Sequence, residues 1–482
     1  MTLFFVCLSA FSLCRAFYLK GGICMTLKEA VELQKEPLLQ TLAESIQIRS
    51  VQDVPAEGAP YGTGVRKCLD HALAAAEKLG FKTVDLDHQM GWCEFGEGEE
   101  MIAVLGHLDV VPEGEGWTFD PFGGVIQDGK IFGRGSMDDK GPTMAALYAL
   151  AALRDSGLPL KRRIRILFGT NEETGSNDMK YYKSHGGELP VMGFTPDGEY
   201  PVINGEKGII NVDYEVNYTQ TGDVRLAKIS GGSAPNVVPA SAKAEIICPV
   251  SRKKELMELA ASCNRISCSE TDDGFTILAS GISAHGASPQ SGINAIGLLM
   301  AALKTLPLEK DVAEPVQFLS DKVGLESNGA SLGIALSDVP SGELTFNLGT
   351  IQGGESGFAI RINYRYPVTF TYDDCAPACD SAFAGAGFKK TKETHKACLY
   401  LSEDCELVQT LLNVYADETG LPAIPKSIGG GTYAKAIPNV VAFGPIFPGD
   451  EIREHKPDEF IEVDKLMKNT HIFAEALYRL AK

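Results

Sequence analysis

Three short apolar runs, over 101–105, 163–168 and 191–194, each stop at a loop that carries histidine or carboxylate side chains. A stretch of helical texture, 143–154, lies between the first two. Short apolar runs bounded by turn residues read as buried strands. Strands that alternate with helices build a sheet with parallel strands and helices on both faces. The helical stretch closes at Gly157, and Pro142 is expected at its first position. A second helix is expected over 64–79, stopping at Gly80; the last strand is expected over 440–443 and the last helix over 463–480.

After Gly208 the texture changes. The segments IINVDYEVNY, AKAEIICPV, GFTILASGIS and FAIRINYRYPV alternate in the manner of antiparallel strands, with a helical piece over 294–306 between them. Long helix returns over 405–419. A chain of 482 residues exceeds what one core usually serves. We therefore expect a discontinuous α/β domain with a mainly parallel sheet over 25–212 and 398–482. Into it is inserted an α+β lid with antiparallel sheets over 213–397.

Residues 1–24 do not match the rest. They are apolar but lack a basic start and a convincing cleavage site, and Arg15 and Lys20 interrupt any membrane span. Met25 then opens MTLKEAVELQKEP, a soluble helix start. We expect translation to begin at Met25, with 1–24 a non-native extension; a signal peptide is the alternative.

The formal net charge of -19 repels phosphate backbones and argues against nucleic acid as a partner. No membrane partner is expected either. The 12 cysteines are scattered, without C-x-x-C pairs, so reduced thiols in a cytoplasmic protein are expected rather than a zinc ribbon or a disulfide framework.

The chemistry sits at the strand ends. His107 and Asp109 follow the first run. Asp138 and Asp139, in GRGSMDDKGP, precede the helix. Glu172 and Glu173 follow the second run, Asp197 the third, and His455 the last strand. In an open α/β sheet the crevice beyond the carboxyl ends of the strands is where ligands bind. So many carboxylates in one place raise one another's pKa unless a cation neutralises them. Imidazole nitrogens and carboxylate oxygens are the ligands of zinc and its neighbours, and the count suits two ions sharing one acid.

The ordered set GHLDVVP, GW-x-x-x-PF, GRGSMDDKG, NEETGS and PDGEYP resembles the zinc-dependent aminoacylase, carboxypeptidase and dipeptidase family of metallopeptidases, and within it the PepV-type dipeptidase branch. The resemblance covers essentially everything from Met25 onward. It implies that His107, Asp138 and Asp197 hold one metal ion, and Glu173, His455 and again Asp138 a second. Zn2+ is the expected ion, with Mn2+ or Co2+ accepted by the same ligands. It also implies that Asp109 steadies His107, that Glu172 is the general base, and that the bond between Asp138 and Asp139 is cis. In the lid it implies that Asn236 and His285 stabilise an oxyanion. Arg365 with Gly429, Gly430 and Gly431 then grips a substrate carboxylate. His71, His88, His185, His395 and His471 match no part of the pattern.

The function so implied is a metal-dependent dipeptidase. It hydrolyses short peptides with a free C-terminus through a hydroxide bridging two metal ions. The alternative is an N-acyl amino acid deacylase, a desuccinylase or a carboxypeptidase of the same family; relatives of that kind usually carry Glu at the position of Asp197. A catalytically silent metal-binding protein is disfavoured by the complete ligand set. A nucleotide-dependent oxidoreductase is disfavoured because no G-x-G-x-x-G follows an early strand and GGG at 429–431 lacks a trailing Gly-Lys. PepV-type enzymes have a doubled lid that mimics a second subunit, which implies a monomer with His285 acting in its own chain.

Overall fold

The computed structural model describes residues 25–482. The expectation for 1–24 lies outside them. The described chain divides into two compact units, one of residues 25–197, 414–420 and 449–482, the other of 198–413 and 421–448.

In the first unit five strands run in the spatial order Lys82–Leu86, Met90–Phe95, Arg163–Gly169, Met101–His107 and Met192–Thr195. Met101–His107 pairs in parallel with the strands on both its sides, while the pairs at the Lys82 edge are antiparallel, so the sheet is mixed. Every residue of Met101–His107 is buried, as a central parallel strand requires. Helix Lys140–Ser156 is buried along almost its whole length and packs on Val463–Ala481. Its Ala- and Leu-rich run favours helix, and Gly157, with φ 66°, ends it in the left-handed conformation.

The helix begins two residues before Pro142, at Lys140, because the Asp139 carbonyl already accepts the Thr143 N–H at 2.9 Å. Proline is tolerated there because first-turn N–H groups have no intrahelical partner. Gly106 brings strand and helix together, since a Cβ at that position would overlap Thr143 Oγ1.

In the second unit an antiparallel sheet of eight strands runs in the order Ile266–Thr271, Gly274–Ser280, Ser241–Ile247, Arg225–Gly231, Thr345–Gly354, Gly357–Tyr366, Gly208–Asn217 and Lys389–Lys396. Gly208–Asn217 alternates strictly. Ile210, Val212, Tyr214 and Val216 enter the core, which they share with Leu299 and Leu303 of helix Ala295–Lys304 and with Phe383 of Ala376–Gly385. Ile209, Asn211, Asp213 and Glu215 take the other face. A smaller group of strands surrounds Ile203–Glu206, which pairs with Leu399–Tyr400, Lys426–Ile428 and Val440–Ala442. These pairings group 198–212, 398–413 and 421–448 with the second unit. All nine cysteines among the described residues are free thiols. Among the described residues no helix is long and apolar enough to cross a membrane.

Candidate metal centre

His107 ends the buried central strand, with its side chain 1% exposed. Its Nδ1 lies 2.9 Å from the backbone carbonyl of Asp109 and 3.6 Å from the Asp109 carboxylate. The main chain of Asp109 is therefore the nearer partner. A carbonyl can only accept, so Nδ1 carries the proton and the Nε2 lone pair points outward, 3.1 Å from Asp138 Oδ1. Two acceptors at that distance need a proton or a cation between them.

Asp138 lies between two imidazoles. Its Oδ2 is 2.9 Å from Nε2 of His455, which is in turn 3.3 Å from Glu173 Oε1. Burial opposes charge on Asp138, but both histidines favour it and hold its carboxyl below the usual range. The same contacts push the His455 imidazolium up to about 11, although its side chain is 54% exposed. Ligand atoms of His107, Asp138 and Glu173 all lie within 4.8 Å of one another. Glu173 Oε1 is buried, with His455 Nε2 at ion-pair distance.

The other acids complete the picture. Burial first, then Asp138, raises the Asp197 carboxyl well above its ordinary value, so Asp197 shares this electrostatic neighbourhood. Burial pushes Glu172 up to about 7, with Glu173, Asp109 and Asp138 adding to it against His107. The two Asp109 oxygens accept the backbone N–H groups of Glu172 and Glu173, each at 3.1 Å, which fixes the loop carrying both glutamates. Asp139, joined to Asp138 by a cis peptide bond, accepts from His107 N and Thr143 Oγ1 through Oδ2.

Sequence reading missed Glu459. Its buried Oε1 accepts three backbone N–H groups, from Gly135, Met137 and Asp138, at 3.0, 2.9 and 3.2 Å. Its Oε2 pairs with buried Arg134 Nη1 at 2.6 Å. Arg134 also donates to the Glu113 carbonyl at 3.2 Å and lies over Trp117. Glu459 thus shapes the turn that presents Asp138. The carboxylates here outnumber the cations, and the donor set of imidazole nitrogens with carboxylate oxygens fits hard to borderline divalent ions.

The lid residues lie in the second unit. The backbone N–H of Ala287 donates to His285 Nδ1 at 3.3 Å, and burial and Arg365 both lower the imidazole's pKa. His285 is therefore neutral with its proton on Nε2, a donor. Gly286 lets its segment close on Asn236, whose carbonyl accepts Gly286 N at 2.7 Å; a Cβ there would meet Asn236 at 2.9 Å.

Arg365, 4% exposed, donates to Asn363 Oδ1 at 3.1 Å and to the Gly429 carbonyl at 2.6 Å. Gly429 thus meets Arg365 through its carbonyl rather than its N–H. The loop over 429–431 is anchored by Glu206, which accepts Thr432 N and Oγ1. The remaining histidines have local partners: His71 with Glu44, His88 with Asp85, His185 on Tyr181, His395 with Tyr366 and His471 with Glu32.

The sequence matches the peptidase family M20/M25/M40 over residues 103–479. It is 40% identical over 465 residues to "Putative dipeptidase YtjP" of Bacillus subtilis (strain 168), covering 93% of this chain and 98% of that one. It is 35% identical over 470 residues to "Putative dipeptidase" of Staphylococcus epidermidis (strain ATCC 12228 / FDA PCI 1200), covering 94% and 99%. The fold is similar to that of aminoacylhistidine dipeptidase from Vibrio alginolyticus, with TM-score 0.61 at 15% identity over 92% of this chain and 96% of that one. It is also similar to human carnosine dipeptidase 1, with TM-score 0.55 at 16% identity over 94% and 98%.

Proposed function

This chain belongs to peptidase family M20/M25/M40, and we propose that within it the enzyme is a dipeptidase that requires two divalent metal ions, zinc first among them. The observation that carries the reading is Asp138, with an imidazole Nε2 on each of its oxygens and Glu173 beside one of them. Relatives named as dipeptidases at 33–40% identity over nearly the whole chain support the substrate class.

His107, Asp138 and Asp197 would hold one ion; Glu173, His455 and again Asp138 would hold the other. When bound, such ions supply Lewis-acid polarisation of the peptide carbonyl and activation of water. Glu172, raised to about 7, is the general base: it takes a proton from the attacking water at neutral pH and returns it to the leaving amine. Asp109 keeps Glu172 and Glu173 in place through their N–H groups. His285 Nε2–H and the Asn236 amide donate to the oxyanion as the peptide carbon becomes tetrahedral. Arg365, with the loop over 429–431, binds the free C-terminal carboxylate; a planar fork of donors suits it. The enzyme acts on small peptides in the cytoplasm, as a monomer.

The test is hydrolysis by metal-stripped protein resupplied with zinc or manganese, with free dipeptides set beside N-acetyl and N-succinyl amino acids. Cleavage of free dipeptides only, and only with metal, supports the reading. Cleavage of acylated amino acids alone would move the enzyme to the deacylase side of the family. Sedimentation as an obligate dimer would refute the monomer.

A further inference from the structure

One face of the lid sheet carries a polar groove of about 440 Å³ that begins at Asn236 and Arg365. Pairing places its side chains in rungs across three strands, since residues directly opposite in antiparallel strands share a face. The first rung is Arg365, Ile209 and Lys396. The middle rung, Asn363, Asn211 and Thr394, is tied together by side-chain hydrogen bonds of 2.9 and 3.4 Å. In the last rung Asp213 lies between Arg361 and Lys392 and takes Arg361 Nε at 3.1 Å.

The charges in these rungs are unequal. The last rung holds its own counter-ion. The first holds two cations and no acid, and among the described residues neither Arg365 nor Lys396 has a carboxylate at ion-pair distance. Burial is what acts on Arg365, pushing its guanidinium down to about 10. Further positive charge stands behind it. Burial pushes Lys435 down to about 8, with Lys396 and Arg365 adding to it; buried Glu206, which also accepts from Thr432, opposes this. A protein of net charge -19 thus keeps three cations, Arg365, Lys396 and Lys435, around one buried acid, Glu206, at one end of one groove. A buried cation whose hydrogen bonds reach only neutral oxygens, as those of Arg365 to Asn363 and Gly429 do, gains when a ligand supplies the anion.

We infer that this end of the groove binds two carboxylates of one residue, so that the enzyme prefers peptides whose C-terminal residue is glutamate or aspartate. Arg365 takes the α-carboxylate, as the proposed function already requires, and Lys396 takes the side-chain carboxylate. The inference rests on that reading. Neighbouring strands are about 4.8 Å apart, so the two cationic residues start about 10 Å apart across Ile209. Two long side chains reach across that span towards one short diacid. Thr394 and Asn211, one rung on, offer further polar contacts.

The experiment compares kcat/KM of the metal-loaded enzyme for Ala-Glu against Ala-Gln and for Ala-Asp against Ala-Asn. Each pair differs in charge and hardly in shape. We expect the acid to be favoured roughly tenfold at low salt and less at high salt. In Lys396→Gln the ratio should fall to within about twofold, and Lys396→Glu should favour Ala-Lys over Ala-Glu. Lys396 is exposed at the sheet edge, so both variants should fold. A wild-type ratio near one, or a ratio unchanged in Lys396→Gln, would overturn the inference. If no dipeptide is cut, the dipeptidase reading fails on its own. Calorimetric binding of free glutamate against glutamine then decides the subsite: tighter glutamate, lost in Lys396→Gln, supports it, and equal binding overturns it.

Discussion

Burial, with Asp138 adding to it against Arg134, raises the Glu459 carboxyl to about 7, so above that pH Glu459→Gln removes a negative charge from a place that water does not reach. Three backbone N–H groups converge on Glu459 Oε1, and Arg134 approaches Oε2 at 2.6 Å. Glutamine can keep the backbone groups by turning its carbonyl oxygen to them, but its NH2 then meets the guanidinium, donor against donor. Arg134, 1% exposed, is left as a buried charge without its carboxylate. Breaking a buried pair in this way costs about 3–5 kcal/mol, a large part of a whole-protein stability on the order of 5–15 kcal/mol. The turn behind Asp138 also loosens, and with Asp138 a ligand as proposed, losing its support lowers metal affinity roughly 10–100-fold.

Urea unfolding of metal-stripped wild type and variant reads the first effect; zinc titration of the folded proteins reads the second. A double variant, Arg134→Met with Glu459→Gln, should recover much of the stability, because the glutamine carbonyl keeps the three backbone N–H groups and no orphaned charge remains. A Glu459→Gln loss below about 1 kcal/mol, the scale of an exposed pair, would refute the assignment of this pair as the support of the metal turn.

Stripped of metal, the protein should lose stability as pH rises from about 5 to about 8. Glu172 and Asp139, raised to about 7 and about 8 chiefly by burial, oppose folding once pH exceeds their unfolded values near 4. His107 and His455, raised by their carboxylate neighbours against burial, stabilise most fully below about pH 6.5 and lose that contribution as pH climbs towards their folded values. The signs agree, so denaturation midpoints that are flat or rising over this range would contradict the electrostatics. Glu172→Gln should lower kcat roughly 10²–10⁴-fold with little change in KM or metal content; a loss under tenfold would remove it as the base. Gly106→Ala should destabilise by about 1–3 kcal/mol through overlap with Thr143 Oγ1, read as a lower Tm; an unchanged Tm would mean that strand and helix do not meet as closely as described.

The family and the α/β architecture were legible because the ordered motifs follow strands that deliver His107, Glu173 and Asp197, or, for Asp138, open a helix; the antiparallel pairs at the Lys82 edge, which make the expected mainly parallel sheet a mixed one, were not. Period-two alternation likewise announced the lid strands; at Gly208–Asn217 it is unbroken. Glu459 was not legible. It lies among ordinary charged residues, and its partners Gly135 and Met137 are more than 300 positions earlier. Lys396 was hidden for a related reason: KKTKETHK reads as a solvated edge, and only pairing with Ile209 sets it in a rung with Arg365. The helix start at Lys140 was misplaced because proline marks the first turn of a helix, not one position within it. The resemblance implied that Asp109 steadies His107, without saying through which of its groups. The fold turns the carbonyl to the ring and gives the carboxylate to the backbone of Glu172 and Glu173.

The measurement that bears most directly on the metal centre is the metal content of the chain after stripping and reloading with zinc, taken by mass spectrometry beside the Asp138→Asn variant. Two equivalents per chain in the wild type, with both weakened together in Asp138→Asn, is the result expected of an acid that stands between two imidazoles. A single equivalent, or a variant that keeps one of its two ions at full affinity, would contradict the shared carboxylate.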